Sequence, residues 1–535
     1  MNKIIYKSVT LVLSLILIFS TLSACSNEST SSVLSSTAGA VSDTVSNEPN
    51  SSETSSQVTS SDTVEIPKPD VTFKPDNITV SKDFLDKYSY YPTISENLPQ
   101  IHINTADGSN SFATDFTRSD KLLDRIEYVS AEISVCECDE KYQLNNVEAE
   151  VKVRGNYTLN YDKKPIRIKF SKKQSMLGLH NGEKYKNWVL LADWKDLSML
   201  NNVVSLYLGK AILGADGYYC TDFKNVELYL NGEYWGMYLL VEQQESKDGR
   251  MSVPEVEDDY EGTNIGYVFE YDGYYVNELE MPEGAGDPTF TIDHFDKPYD
   301  QPGYTIKSDI NHSSQLQFIS NYVQNAYTIL YAATENGRYM GFNKDYTSLE
   351  DSAFSTSEEA IRAVIDVDSL VDTYIINEIA CDLDVDWSSF YMTLDMSEKG
   401  SKKLIFEAPW DFDSSYGIIK RVVSDNKLYA MESLNPWFNL LKNEDWFIGL
   451  IMEKWQIIKQ AGVLDNALSL VLEYKTVYED AYKRNYEKWK RRVTGGNGEV
   501  VPEINTYTTQ AQAADYLYRW LKARLLFLDD IWGKL

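Results

Sequence analysis

Five aspartates stand in two short acidic groups: Asp382, Asp384 and Asp386, then Asp411 and Asp413. Between them Phe390–Leu394 alternates as a strand does, Ser397–Lys402 reads as a turn around Gly400, and Lys403–Phe406 reads as a second strand. That is the pattern of a hairpin. Pairing of its strands brings the two acidic groups together, and carboxylates gathered in this way repel one another unless a cation lies between them. Hard divalent ions such as Mg²⁺ take oxygen ligands of this kind. Acidic residues most often form a solvated loop. Here Trp387, Phe390, Trp410 and Phe412 are interleaved with the acids, which argues for a cleft.

The elements that must position these residues are legible along the rest of the chain. Leu98–Ile103, Ile126–Val135, Val147–Val153 and Lys164–Phe170 alternate as strands, and Trp188–Ala192 is an apolar run of strand length. Asp196 is placed to cap a helix whose apolar stripe is Leu197, Leu200, Val203, Val204, Tyr207, Leu208 and Ala211. Val226–Leu230 and Met237–Val241 flank Asn231–Gly232, a strong hairpin turn. The first half therefore reads as an antiparallel sheet with one inserted helix. Residues 246–310 read as irregular loops with short strands, Gly266–Tyr271 among them. Helices dominate from Ser314 onward. Leu370–Ile379 feeds the acidic loop, and the last helix keeps Leu517, Leu521, Leu525, Leu528 and Trp532 on one face, with Arg519, Lys522 and Arg524 off it.

The chain has 535 residues, is 43% apolar and 13% aromatic, and carries a net charge of −31, so a large core is affordable and a grip on a nucleic-acid backbone is not expected. The first 24 residues read as a signal peptide, with Lys3 and Lys7 ahead of an apolar Val9–Phe19. Leu22–Ser23–Ala24–Cys25 resembles a bacterial lipobox. The resemblance implies lipidation of Cys25 and a protein anchored to the outer side of a membrane. Residues 25–66 read as a Ser/Thr-rich tether with an expected reach of roughly 35 Å, and residues 67–535 are expected to form the folded part. Cys136, Cys138, Cys220 and Cys381 read as buried or incidental thiols. His102, His180, His294 and His312 show no metal-ligand spacing.

From about residue 95 on, an ordered set of motifs resembles the CotH family of kinase-like proteins. Leu98–Pro99 comes first, then Arg154–Gly155–Asn156 and Lys163–Lys169, then Trp188–Ala192 with Asp196 and Asn202. Asn231–Gly236 leads through Tyr238 to Glu242, Asp384 and Tyr391 precede Pro409–Asp413, and Trp520, Leu521 and Arg524 close the set. The resemblance implies an α+β, atypical protein-kinase-like two-lobed fold. Its antiparallel-sheet N-lobe would span about 95–245, an irregular insert 246–310 and a mainly helical C-lobe 311–535. It also implies transfer of phosphoryl from Mg-ATP, with Mn²⁺ as the alternative ion, to Ser or Thr of a protein.

Phosphoryl transfer is mostly positioning and charge neutralisation. On the resemblance, Asp384 orients the acceptor hydroxyl, while Asp411 and Asp413 bind the metal. Ser389 stands where kinases place a metal-binding Asn. A phosphate-facing cation is expected at Lys169, with Arg154 and Lys164 as alternatives, and Glu242 closes the strand that would meet adenine. Asn201 stands where many relatives carry Arg. Two other readings compete. One is a non-catalytic surface protein that binds a partner protein, cell wall or polysaccharide, which a scarcity of ATP outside the membrane favours. The other, weaker, is a hydrolase using Asp384 and Asp411 as acid and base.

Overall fold

Seven strands enclose the first hydrophobic core of this computed structural model. They are β1 (Gln100–Thr105), β2 (Val129–Cys136), β3 (Leu144–Val153), β4 (Ile166–Gln174), β5 (Tyr185–Leu191), β6 (Phe223–Leu230) and β7 (Glu233–Glu242). Their order is β1-β2-β3-β4-β5-β7-β6, and β6 returns to β1 to close a barrel. The closing pair is parallel, with Ile101 opposite Leu228 and Ile103 opposite Leu230. This corrects the expected two-lobed, kinase-like fold with an antiparallel-sheet N-lobe: the protein is mixed α+β, and its first sheet is a closed barrel. Strand alternation reports only which residues point inward, and that period is the same in an open sheet and in a barrel. Closure depends on β1 meeting β6 across a long stretch of chain, which leaves neither strand as a free edge.

The structure describes residues 69–74, 80–295, 302–382, 384–490 and 500–534. The signal peptide, Cys25 and the tether lie outside them. Residues 65–535 form one unit. No helix among the described residues is long and apolar enough to cross a membrane.

Ile133, Val151, Ile168, Trp188, Leu228 and Leu240 fill the barrel. The alternate residues of β5 and β7, Val189, Leu191, Leu239 and Val241, face out into a second, larger core. Burial on both faces is why Trp188–Leu191 of β5 and Met237–Val241 of β7 are unbroken apolar runs. Helix α1 (Asn201–Ala211) lies in that larger core. Asp196 caps it from ahead of its first turn, accepting from Leu200 N at 2.8 Å and Asn201 N at 2.9 Å. In β7, Gly236 has φ +123°, and a Cβ there would stand 2.7 Å from both Asn485 Oδ1 and Trp489 Nε1. The missing side chain lets a C-terminal helix press directly on the strand.

The second sheet has the order β14-β13-β8-β10-β9. Its strands are β8 (Gly266–Asp272), β9 (Thr289–Phe290), β10 (Gly303–Ile306), β13 (Phe390–Asp395) and β14 (Ile405–Glu407). A separate hairpin joins β11 (Met340–Phe342) to β12 (Leu349–Asp351). The acidic groups do flank a hairpin, with Tyr391 opposite Glu407 and Thr393 opposite Ile405. Its other neighbour is β8, buried along its whole length at the centre of the sheet. The region 246–310 thus supplies the middle of a sheet.

Six long helices complete the larger core: α2 (Ser313–Glu335), α3 (Val367–Ala380), α4 (Asp445–Gln460), α5 (Val463–Val477), α6 (Glu479–Trp489) and α7 (Gln510–Trp532). α1 packs on α3 and α5, α6 packs on β7, and α7 packs on α3, α4 and α5. The apolar face of α7 is buried as its spacing indicates, but Arg524, off that face, is fully buried as well.

One buried acid in this frame makes stability depend on pH. Glu407 accepts from Tyr219 N at 2.8 Å and Thr393 Oγ1 at 2.9 Å. Burial nevertheless raises its pKa from 4.5 to about 7. Its contribution to stability is therefore full below its unfolded value and is lost as pH rises through about 7. Glu407→Gln keeps an acceptor for Tyr219 and removes the charge. Urea midpoints measured between pH 5 and pH 9 are expected to fall less steeply in the variant, which gains about 2–3 kcal/mol over the native chain at the alkaline end. Parallel curves for the two proteins would refute this assignment.

Candidate functional site

A cleft of about 620 Å³ lies between the barrel and the second sheet. Its barrel wall starts where β3 ends. Arg154 extends the ladder by one bond, N to Pro165 O at 3.0 Å. At Gly155, with φ +116°, the chain folds so tightly that Thr158 Oγ1 lies 2.0 Å from where a Cβ would be. The Arg154 guanidinium then sits 5.5 Å from the centre of the Trp410 ring. Burial lowers its pKa, and Tyr391 and Asp411 oppose the shift.

The floor comes from the exit of β5 and the start of α1. Asn202 donates from Nδ2 to Asp193 Oδ1 at 2.7 Å and accepts from Phe412 N at 3.0 Å. One amide thus ties α1, the β5 exit and the Asp411–Asp413 segment together. Asn201 donates to Ser415 O at 3.1 Å, on the same segment. Burial pushes the Asp193 carboxyl up to about 6, against the Asn202 hydrogen bond.

The opposite wall carries the acids. α3 ends at Cys381, with φ +45°, and Asp382 then accepts from Ser415 Oγ and from Asp384 N, both at 3.2 Å. Asp384 opens a short 3₁₀ turn and lines the cleft. Burial raises its carboxyl to about 6; Lys195 opposes the shift, and Asp413 and Asp386 add to it. Beyond the hairpin, Asp411 takes φ +67°. Such left-handed backbone costs a non-glycine residue about 1 kcal/mol and is concentrated at functional sites. Burial, then Asp413 and Asp384, hold the Asp411 carboxyl well above the usual carboxylate range, against Lys195 and Arg154.

Arg154, Asp384, Ser389, Asp411 and Asp413 therefore all line one cleft. Ser389, at φ +61°, is held there by its N–H to Glu270 Oε1 at 2.8 Å. Three expected residues are not brought to it. Lys169 is exposed, 3.5 Å from Glu150 and over the Tyr128 ring. Lys164 is buried and donates to Tyr161 O, which fixes the turn after β3. Glu242 is fully buried, accepting from Asp222 N at 2.9 Å and lying 3.3 Å from Arg250 Nε. Asp386 lies 3.6 Å from Arg421.

Two cleft residues escaped the sequence reading. Arg167 precedes Lys169 by two positions on the same strand face, and its Nε is buried without a hydrogen-bond partner. Alternation assigns both cations to one face but does not say which one reaches the cleft. Lys195 also lines the cleft, and its Nζ donates to Ser414 Oγ at 2.7 Å. Burial works against its charge, but Asp413, then Tyr161, Asp384 and Asp411, raise its pKa above the ordinary lysine value. The signal available was a cation between two aspartates, Asp193 and Asp196, just past a strand end.

The donor set suits a hard cation. Asp411 and Asp413 offer only oxygen, and their mutual repulsion is what a divalent ion relieves. No group of three His, Cys, Asp or Glu among the described residues is arranged to hold an ion alone. A metal here would complete its shell with phosphate oxygens and water, the habit of Mg²⁺.

A mixed α+β protein whose cleft sets buried carboxylates against arginine and lysine is of a class suited to binding a cation together with a polyanion. The chain belongs to the CotH kinase protein family, whose model matches residues 151–528. That range includes Arg154, Arg167, Lys195, Asp384, Asp411 and Asp413. No curated protein matches the chain.

Proposed function

We propose that this protein transfers the terminal phosphoryl group of ATP to a Ser or Thr hydroxyl of a secreted or surface protein, while anchored outside the membrane through a lipid on Cys25. The observation that carries this reading is the meeting of Asp384, Asp411, Asp413 and Arg154 in one cleft from three separate parts of the chain. In the transfer, the acceptor oxygen bonds to the terminal phosphorus, the bond to the bridging oxygen breaks with its electron pair leaving on ADP, and the hydroxyl proton passes to Asp384. Asp384 suits that task, because its carboxyl is held near 6 and is ionised at neutral pH without being a negligible base. Arg154 and Arg167 face the phosphates. Asp411 and Asp413 hold Mg²⁺, or Mn²⁺ in its place, which supplies neutralisation of phosphate charge when bound.

The test uses the purified chain, labelled ATP, Mg²⁺ or Mn²⁺ and a Ser-rich acceptor protein. Label is expected on the acceptor's serines and is expected to vanish with Asp384→Ala. Absence of transfer, together with absence of a metal-dependent thermal shift by ATP, would replace this reading with a binding module.

A further inference from the structure

We propose that Lys195 is a catalytic residue of this cleft, its ammonium meeting the phosphoryl group in transit between Asp384 on one side and the Asp411–Asp413 pair on the other. The proposal rests on the reading of the cleft as a phosphoryl-transfer site.

Its first support is geometric. Two other lysines with little exposure touch their carboxylates directly: Lys459 reaches Asp529 at 2.9 Å and Lys454 reaches Asp372 at 2.7 Å. Lys195 does not close such a pair. Its nitrogen bonds the neutral hydroxyl of Ser414, which in turn donates to Asp413 Oδ1 at 3.0 Å. The ammonium is thus held one hydroxyl away from the acids and open to the cleft it lines. An ammonium has three donors, and the Ser414 bond uses one.

The second support is placement. Lys195 lies between two anchored aspartates, Asp193 held by Asn202 and Asp196 held by the N–H groups opening α1. Its backbone is therefore fixed to the same helix that positions Phe412. Asp413, Asp384 and Asp411 all act to keep it charged. During transfer the charge spreads over the equatorial oxygens of the moving phosphoryl group. A fixed cation facing those oxygens in a poorly hydrated cleft stabilises the transition state more than the bound nucleotide.

Lys195→Met, Lys195→Arg and the native chain are compared in steady-state transfer with ATP and acceptor varied, alongside thermal shifts by Mg-ATP. The expected result is a kcat lowered roughly 100-fold in Lys195→Met. Its KM for ATP should change less than about threefold, and Lys195→Arg should recover part of the loss, as a transition-state role requires. Where Lys195→Met does not fold, Ser414→Ala decides, since it leaves the lysine but frees its nitrogen: kcat should fall several-fold with KM unmoved. An unchanged kcat in the deciding variant, or a loss confined to KM, overturns the proposal while transfer by the native chain stands. A native chain that transfers nothing overturns both the proposal and the reading beneath it.

Discussion

Asp411→Asn is expected to lower phosphoryl transfer on the order of 10³-fold while making the ligand-free protein more resistant to heat at pH 8. Both effects follow from one charge. Asp411 adopts φ +67°, and Asn accepts left-handed backbone better than most residues, so the turn is preserved. The Phe412 N–H to Asn202 is also untouched. What disappears is a carboxylate whose proton affinity is raised, first by burial and then by Asp413 and Asp384. A carboxyl shifted upward on folding contributes stability below its unfolded pKa and loses it as pH rises through the folded value. Above the unfolded value that contribution is therefore progressively lost, and the Asn variant, which never carries the charge, escapes the loss. The gain should shrink as the pH is lowered toward 4. The thermal shift given by Mg-ATP should go the other way and disappear in the variant. Calorimetry at pH 8 and at pH 5, with and without Mg-ATP, separates these outcomes. Undiminished transfer, or a variant that melts earlier than the native chain at pH 8, would remove Asp411 from the metal-facing role.

The hairpin that bears Asp411 was legible because its turn, its alternation and its acids lie close together in the chain. The same locality made β6 and β7 readable around Asn231 and Gly232, which adopt φ +49° and +81°. What stayed hidden depends on partners far away in sequence. β1 looks identical whether it ends a sheet or closes a barrel against β6, and only the parallel register of Ile101 with Leu228 decides the matter. β8 looked like a short strand among loops because the strand that buries it, β13, comes after α2 and α3. Side chains obey the same rule. Lys169 and Arg167 share a face by alternation, yet the cleft ends between them. Glu242 has the sequence position of a site residue and the surroundings of a structural one, enclosed with Arg250. Lys195 sits in a connection that carries no periodic pattern, so only the fold brings it near Asp384, Asp411 and Asp413, far onward in the chain.

Arg524→Ala is expected to cost about 3–5 kcal/mol of stability, the usual result of removing one member of a buried ion pair. Arg524 and Glu378 are both fully buried, with Arg524 Nη2 bonded to Glu378 Oε1. The guanidinium also gives Nε and Nη2 to the Glu378 carbonyl at 3.0 and 2.7 Å, reinforcing an acceptor in the last turn of α3 whose backbone bond, from Cys381 N, is long at 3.3 Å. Nη1 reaches the carbonyls of Asp425 and Lys427, and the Glu378 carboxylate accepts from Tyr429 N and from Met431 N. One planar fork therefore joins α7, the end of α3 and the loop at 425–431. Lysine keeps the charge but cannot span these acceptors, so Arg524→Lys should recover only part of the loss. The double variant Glu378→Ala with Arg524→Ala should cost less than the sum of the singles, because the second change removes the stranded charge left by the first. Denaturant midpoints of the four proteins test this, and strict additivity would argue against a coupled pair. The connection to function is the path of the chain: three residues beyond the end of α3 at Cys381 stands Asp384. If the fork sets where that turn lies, Arg524→Lys assayed well below its melting temperature should lose kcat while still binding Mg-ATP, a separation that lost stability alone would not produce.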